Sequence, residues 1–173
     1  MDSARGDVWI EAYRYFYLAY YNELLASDLG RRLDRWGNAM NLVIALTSSG
    51  SAISGWALWK TDRGMIVWSI LAGSASILSI AQSRLHVTSR VRKQAAVRRR
   101  FARIRSRLQE ILEDIIRGEE LVGIRKDIRA QRKRYFALTE SADPDLLQTS
   151  GLKARVKAEL EEALRGLGLY SQV

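Results

Sequence analysis

Residues 37–59 read GNAMNLVIALTSSGSAISGWALW, and after five more residues the segment 65–83 reads MIVWSILAGSASILSIAQS. Neither stretch contains an aspartate, glutamate, lysine or arginine. Since a helix rises about 1.5 Å per residue, these lengths reach about 35 Å and about 28 Å, which bracket the roughly 30 Å of hydrocarbon in a bilayer. The sequence therefore predicts an all-α membrane protein built on a two-helix transmembrane hairpin. The alternative is a buried helical hairpin in a soluble protein.

Basic residues are concentrated on one side of this predicted hairpin. Three arginines at positions 31, 32 and 35 lie close before the first span, and seven lysines and arginines follow the second by residue 100, whereas the connecting loop has only Lys60 and Arg63. By the positive-inside rule, both termini lie in the cytoplasm and the loop lies outside. We predict three regions: an N-terminal amphipathic helix at the cytoplasmic face or membrane interface (1–36), the hairpin (37–83) and a basic cytoplasmic helical region (84–173).

The composition limits the chemistry that the side chains can supply. The 173 residues include 28 lysines and arginines against 19 aspartates and glutamates, which gives a net charge of +9, with one histidine and no cysteine. Disulfides and thiol chemistry are therefore excluded, and a zinc site is disfavoured. The sequence carries no GxSxG, Walker A, Rossmann or HExxH motif. We predict no enzymatic activity, no cofactor and no metal.

An aromatic helix is predicted ahead of the first span. Residues 8–35 place apolar side chains three or four positions apart, which is the spacing of an amphipathic helix. Six of the residues from Tyr13 to Tyr21 are aromatic. One interpretation is a stripe that packs on a neighbouring helix or lies at the membrane interface. The other is a platform that stacks on a nucleobase.

A long helix is predicted to continue from the second span into the cytoplasm. It has a heptad-like apolar seam with steps of three and four residues. Gly118 and Gly123 are the predicted positions for a bend or turn after it. The seam residues are Phe101, Ile104, Leu108, Ile111 and Ile115.

Two further helices are predicted beyond this bend. The first is basic, has an apolar face and ends before Pro144, because proline disfavours helix in the residue before it. The second is amphipathic and runs from Leu152 to Leu164. The apolar face of the basic helix is formed by Leu121, Ile124, Ile128, Tyr135 and Leu138.

Small and hydroxyl-bearing residues recur along both predicted spans. Such residues let membrane helices approach closely, and their hydroxyl groups can bond across the contact. One interpretation is packing within a hairpin or between subunits. The other is a pore lining, which requires several subunits because two helices cannot enclose an aqueous path. The predicted pore-lining residues are Asn41, Thr47, Ser51, Ser54, Ser69, Gly73, Ser76 and Gln82.

The cytoplasmic lysines and arginines predict a polyanionic partner. Anionic lipid accounts for the basic residues from Arg90 to Arg100. If the helix extends away from the membrane, however, Arg125 lies about 60 Å from Ser83, far beyond a Debye length of about 8 Å. A nucleotide or oligonucleotide then suits the repeated arginines better, whereas a helix folded back on the membrane would remove this distinction. The predicted binding residues are Arg99, Arg103, Arg125, Lys126, Arg129, Arg132, Lys133 and Arg134.

The order of an aromatic N-terminal helix, a tight hairpin and a long charged helical tail resembles the SLATT domain, the SMODS and SLOG-associating two-transmembrane effector family. The resemblance covers nearly the whole chain and rests on this architecture and on segments such as YRYFYLAYYNELLASDLGRRLDRW and RLHVTSRVRKQAAVRRRF. It implies an effector of bacterial anti-phage defence, encoded beside nucleotidyltransferases or nucleotide-sensing proteins, that forms an oligomeric pore. It provides no catalytic residues.

The leading hypothesis is therefore a homo-oligomeric ion channel, predicted to be a tetramer, in the lipid bilayer of the bacterial inner membrane. A nucleotide or oligonucleotide signal from a companion nucleotidyltransferase would gate it from the cytoplasm, and channel activity would depolarise the membrane and arrest growth. The second hypothesis is a holin-like phage protein that forms membrane lesions. The third is a non-channel membrane scaffold that binds nucleic acid. The sequence leaves subunit number, ion selectivity and the sign of regulation open.

Overall fold

The part of the chain that the structure describes is almost entirely helical, as predicted. A computed structural model describes residues 3–50, 66, 73, 74, 77, 87–141 and 148–167. The chain divides into two compact units, one formed by Met1–Leu29 with Lys93–Val173 and the other by Gly30–Arg92. Within the described ranges, the bounded helices are α1 (Ser3–Gly50), α2 (Val87–Arg117), α3 (Leu121–Glu140) and α4 (Ser150–Gly166).

The predicted transmembrane hairpin is wrong for the helices that the structure describes. None of them is long and apolar enough to cross a membrane. In α1, the apolar residues that lead up to Gly50 share their stretch of helix with Asp34, Arg35, Asn38 and Asn41, which lower its mean hydropathy. The remainder of the first predicted span lies outside the described residues, as does the second span apart from residues 66, 73, 74 and 77.

The first unit has a main hydrophobic core to which all four helices contribute. From α1, Trp9, Tyr15 and Phe16 enter this core, and Phe16 is 0% exposed. Tyr13 and Tyr20 are partly buried against it. The aromatic stripe of α1 is therefore a packing surface, which confirms the first of the two interpretations of this segment.

The seam predicted in α2 forms the centre of this core. Its five residues, from Phe101 to Ile115, are at most 5% exposed. The face predicted for α3 is also buried from Ile124 to Leu138. That face includes one residue that the apolar pattern did not predict, the polar Gln131, which is 5% exposed. The spacing of apolar residues thus located the packing surfaces of both helices.

α4 packs along α1 through a second apolar cluster. Leu152 and Val156 are buried against Leu25 and Leu29, while the later leucines of α4 join the main core. The helix is capped at its start, where the Thr149 side chain accepts a hydrogen bond from the backbone N–H of Leu152 at 3.3 Å. Such a cap satisfies one of the amides that a helix leaves unpaired at its first turn.

The turn between α2 and α3 fixes the antiparallel arrangement of these helices. Gly118 has φ +89°, in the left-handed region. Its N–H donates to the Ile115 carbonyl and the Glu119 N–H donates to the Asp114 carbonyl, which is the pattern of a Schellman motif. The Arg5 guanidinium also donates to the carbonyls of Ile115, Gly118 and Glu119 at 2.9–3.2 Å. The first turn of α1 thus holds the end of α2.

Gly118→Ala is expected to destabilise the protein by about 1–2 kcal/mol, because an L side chain is strained in the left-handed region. Crowding adds nothing, since a Cβ at this position would lie 3.9 Å from Arg5 Nη1. Gly123→Ala is the matched control, because it lies within α3 with nothing within 4 Å of an added Cβ. Alanine there should stabilise the helix by about 0.5–1 kcal/mol. Urea unfolding measures both, and equal effects of the same sign would contradict the turn geometry.

Candidate anion-binding groove

A cavity of about 490 Å³ lies between α2 and α3 in the first unit, and we call it the arginine groove. From α2 it receives side chains at positions 100, 103 and 104, which share one helix face at spacings of three and four. The lining residues of α3 are likewise three to four positions apart on one helix face. The groove extends to Ser141, the residue after this helix. The lining residues are Arg100, Arg103, Ile104, Gln131, Arg134, Ala137, Leu138 and Ser141.

The antiparallel register explains why these residues meet. Arg107 of α2 contacts Asp127 of α3, with Nη2 and Oδ2 2.9 Å apart. One turn further from the connecting loop, Arg103 and Gln131 occupy the next opposing positions. Arg100 and Arg134 follow, three residues beyond these on each helix. Two arginines from α2 and one from α3 are thus brought to the same groove.

The three groove arginines carry unneutralised positive charge. Within the described ranges, Arg100, Arg103 and Arg134 form neither an ion pair nor a hydrogen bond. Their neighbour Arg105 differs, since it pairs with Glu23 at 2.7 Å and its guanidinium lies 4.7 Å from the centre of the Tyr20 ring. Three like charges without acidic partners favour an anion in the space between them.

An ion-pair network centred on Arg107 lies between the groove residues and the turn. Arg107 donates to Glu110 at 2.6 Å and to Asp127 at 2.9 Å. These hydrogen bonds, first that to Glu110 and then that to Asp127, raise the pKa of Arg107 above its usual range. Since both partners are on the protein, this guanidinium is already satisfied. The arginines that line the groove, by contrast, have no acidic partner among the described residues.

Gln131 gives the groove a buried amide. The residue is 5% exposed, and in the part of the chain that is described its side chain makes no hydrogen bond. The amide atoms are not sealed inside the protein, unlike Trp9 Nε1 and Asp28 Oδ2. Gln131 is also one of the residues that line the groove. Because these atoms are accessible, a ligand in the groove can exchange hydrogen bonds with the amide as both donor and acceptor.

A second cavity, of about 540 Å³, lies between α1 and α3 but has a different character. Its walls carry both signs of charge, with Asp7 and Glu11 facing Arg14 and Arg132. Arg132 lies 3.9 Å from Glu11. Because the acidic groups offset the basic ones, this cavity is a weaker anion site than the arginine groove.

The structure brings together only part of the predicted oligonucleotide site. Of the predicted residues, Arg103 and Arg134 line the groove, and Arg132 lies at the second cavity with Glu11. The sequence pattern assigns Arg100 to lipid and does not single out Gln131 or Ser141. Arg100 and Gln131 follow from the α2–α3 register once the turn is placed at Gly118. The remaining predicted residues are exposed and do not line the groove; these are Arg99, Arg125, Lys126, Arg129 and Lys133.

The predicted pore-lining residues lie in the segment 37–83, which was predicted to form the transmembrane hairpin. Asn41 is exposed on α1, and Thr47 lies within α1. Gly73 is exposed, and an added Cβ there would meet nothing within 4 Å. Five of these residues lie outside the described part of the chain, namely Ser51, Ser54, Ser69, Ser76 and Gln82. The channel and holin-like hypotheses require the hairpin and are not carried further.

Comparisons with known proteins found no match to a protein-family model, a curated protein or a solved structure. The resemblance to the SLATT domain stays a prediction from the sequence.

Proposed function

We propose that this protein binds a nucleotide or a short single-stranded oligonucleotide in the arginine groove, and so receives a nucleotide-derived signal. The observation that carries the proposal is the convergence of Arg100, Arg103 and Arg134 on one cavity without an acidic partner among the described residues. A guanidinium group is positively charged and presents planar pairs of N–H donors. Both features suit the negatively charged oxygens of a phosphate group. Since arginine stays protonated, the groove is suited to binding rather than to proton transfer.

The shape of the groove favours a phosphate on a nucleotide over a phosphate on a lipid surface. A flat membrane can be met by charges on one face of a single helix. Here three exposed arginines come from two helices to one cavity, which Ile104, Ala137 and Leu138 also line. Its volume of about 490 Å³ falls within the range of roughly 300–1,000 Å³ typical of small-molecule sites. A ligand with both charge and a flat apolar face fits this combination.

Binding of a short fluorescently labelled single-stranded DNA to the purified full-length chain tests the proposal. Anisotropy is expected to show saturable binding that weakens with salt. A plot of log K against log salt concentration should have a slope of about −2, because each of three phosphate contacts on a single strand contributes about −0.7. A flat salt dependence or no binding at low salt would overturn the proposal.

Vesicles that contain phosphatidylglycerol serve as the competing ligand in the same assay. If the groove holds a nucleotide, vesicles at equal phosphate concentration should leave most of the DNA bound. Complete displacement of the DNA by vesicles would show that the basic residues serve a lipid surface, and the nucleotide proposal would then be wrong.

A further inference from the structure

We infer that the groove holds one nucleotide unit and that Gln131 recognises its base, an inference that rests on the proposed function. The inference starts from the position of this amide. It lies on the buried face of α3 between Ile128 and Tyr135, where the other residues are apolar or aromatic. An amide has no packing advantage there, and within the described ranges it has no protein partner. Gln131 lines the groove, so a ligand bound there would lie beside it.

The amide and the arginines offer different chemistry to a ligand. A phosphate group has only acceptors, so guanidinium groups alone suffice to bind it. A glutamine amide presents a donor and an acceptor side by side, and it pairs with an edge that carries the complementary groups. Adenine has such an edge in its N6 amino group and N7, which glutamine binds with two hydrogen bonds. Gln131 therefore distinguishes a nucleotide from a plain polyphosphate.

The spacing of polar groups along α3 fits separate contacts, with Gln131 at the base and the arginines at the phosphates. Gln131 and Arg134 are one helical turn apart, about 4.5 Å along the axis, and Ser141 lies about 15 Å from Gln131. Ile104, which adjoins Arg103 on α2, also lines the groove and provides an apolar contact for the base. The base would lie at the Gln131 end, and the phosphates would extend towards Arg100 and Arg134.

The experiment compares ATP with inorganic tripolyphosphate, since these share a triphosphate chain and differ in the nucleoside. We expect the full-length chain to bind ATP at least tenfold more tightly, by calorimetry. Gln131→Leu, which keeps the side chain large and buried, should remove this difference by weakening ATP and leaving tripolyphosphate unchanged. Gln109→Leu is the control, because Gln109 hydrogen-bonds Glu113 on the same helix and does not line the groove.

The outcomes separate this inference from the proposed function. If wild-type protein binds both ligands equally, or Gln131→Leu weakens both alike, the base is not recognised by Gln131, while anion binding in the groove stands. If wild-type protein binds neither ligand, both are overturned. Unfolding midpoints show that the variant folds, and Gln131→Leu should unfold at an equal or higher temperature because it removes a buried amide without a protein partner.

Discussion

Replacing Arg100, Arg103 and Arg134 together with alanine should weaken oligonucleotide binding by about a hundredfold. Each guanidinium is exposed, so we assign it about 1 kcal/mol rather than the larger value of a buried charged hydrogen bond. Three such contacts amount to about 3 kcal/mol, or a factor of about 100. The salt dependence should nearly vanish with them, since the slope reports the phosphates neutralised. Anisotropy titrations at several salt concentrations measure both effects.

The matched control for this variant removes the same charge from the same hairpin. Arg125, Lys126 and Arg129 are exposed residues of α3 that do not line the groove. Changing them to alanine lowers the net charge from +9 to +6, as the groove variant does, because each loses three positive charges. We expect a loss of only a few-fold, from the weaker long-range field. If the two triple variants lose affinity equally, binding depends on overall charge and the groove is not the site.

Local sequence patterns were sufficient to locate the packing faces of the helices. The steps of three and four from Phe101 to Ile115 depend only on the helical period, and burial of these positions follows wherever a partner helix exists. The same holds for the aromatic residues of α1, whose density left two interpretations that only the fold could separate. Phe16 and Trp9 are in the core, so most of that aromatic surface stabilises the fold.

The transmembrane prediction is wrong for the described helices because the first apolar stretch belongs to a longer helix that also has polar turns. The sequence predicts a span that starts at Gly37, whereas α1 runs through that residue from Ser3 to Gly50, with Asp34 and Arg35 in the preceding turn. The length of an uncharged run indicates a membrane span only when the helix is also apolar enough over that length, and none of the described helices is.

Part of the candidate site depends on the register between α2 and α3, which no local sequence pattern determines. Whether Gly118 or Gly123 makes the turn decides which residues of α2 and α3 face one another. The structure shows Gly118 with positive φ, while Gly123 lies inside α3. Arg134 was predicted from charge alone, but its meeting with Arg100 follows from the pairing of the helices. Gln131 was missed because a single polar residue on an apolar face does not disturb the helical period.

Phe16→Ala is expected to destabilise the protein by about 3–5 kcal/mol, the largest effect of any single substitution considered. Phe16 is 0% exposed, and its ring centre lies 6.0 Å from that of Tyr20 and 6.3 Å from that of Tyr13. Truncation removes the buried ring and leaves a cavity that the packed helices fill only in part. Urea unfolding followed by far-ultraviolet circular dichroism measures the loss.

Two companion variants show whether this cost comes from burial. Ile10→Ala removes an apolar side chain from the same helix, but Ile10 is 62% exposed, so its change should stay within about 0.5 kcal/mol. Phe16→Leu keeps much of the volume, and we expect an intermediate loss of about 1–2 kcal/mol. If Phe16→Ala costs no more than Ile10→Ala, α1 does not pack into the core that α2 and α3 share. The pairing of those two helices would then lack the support that holds the arginine groove in shape.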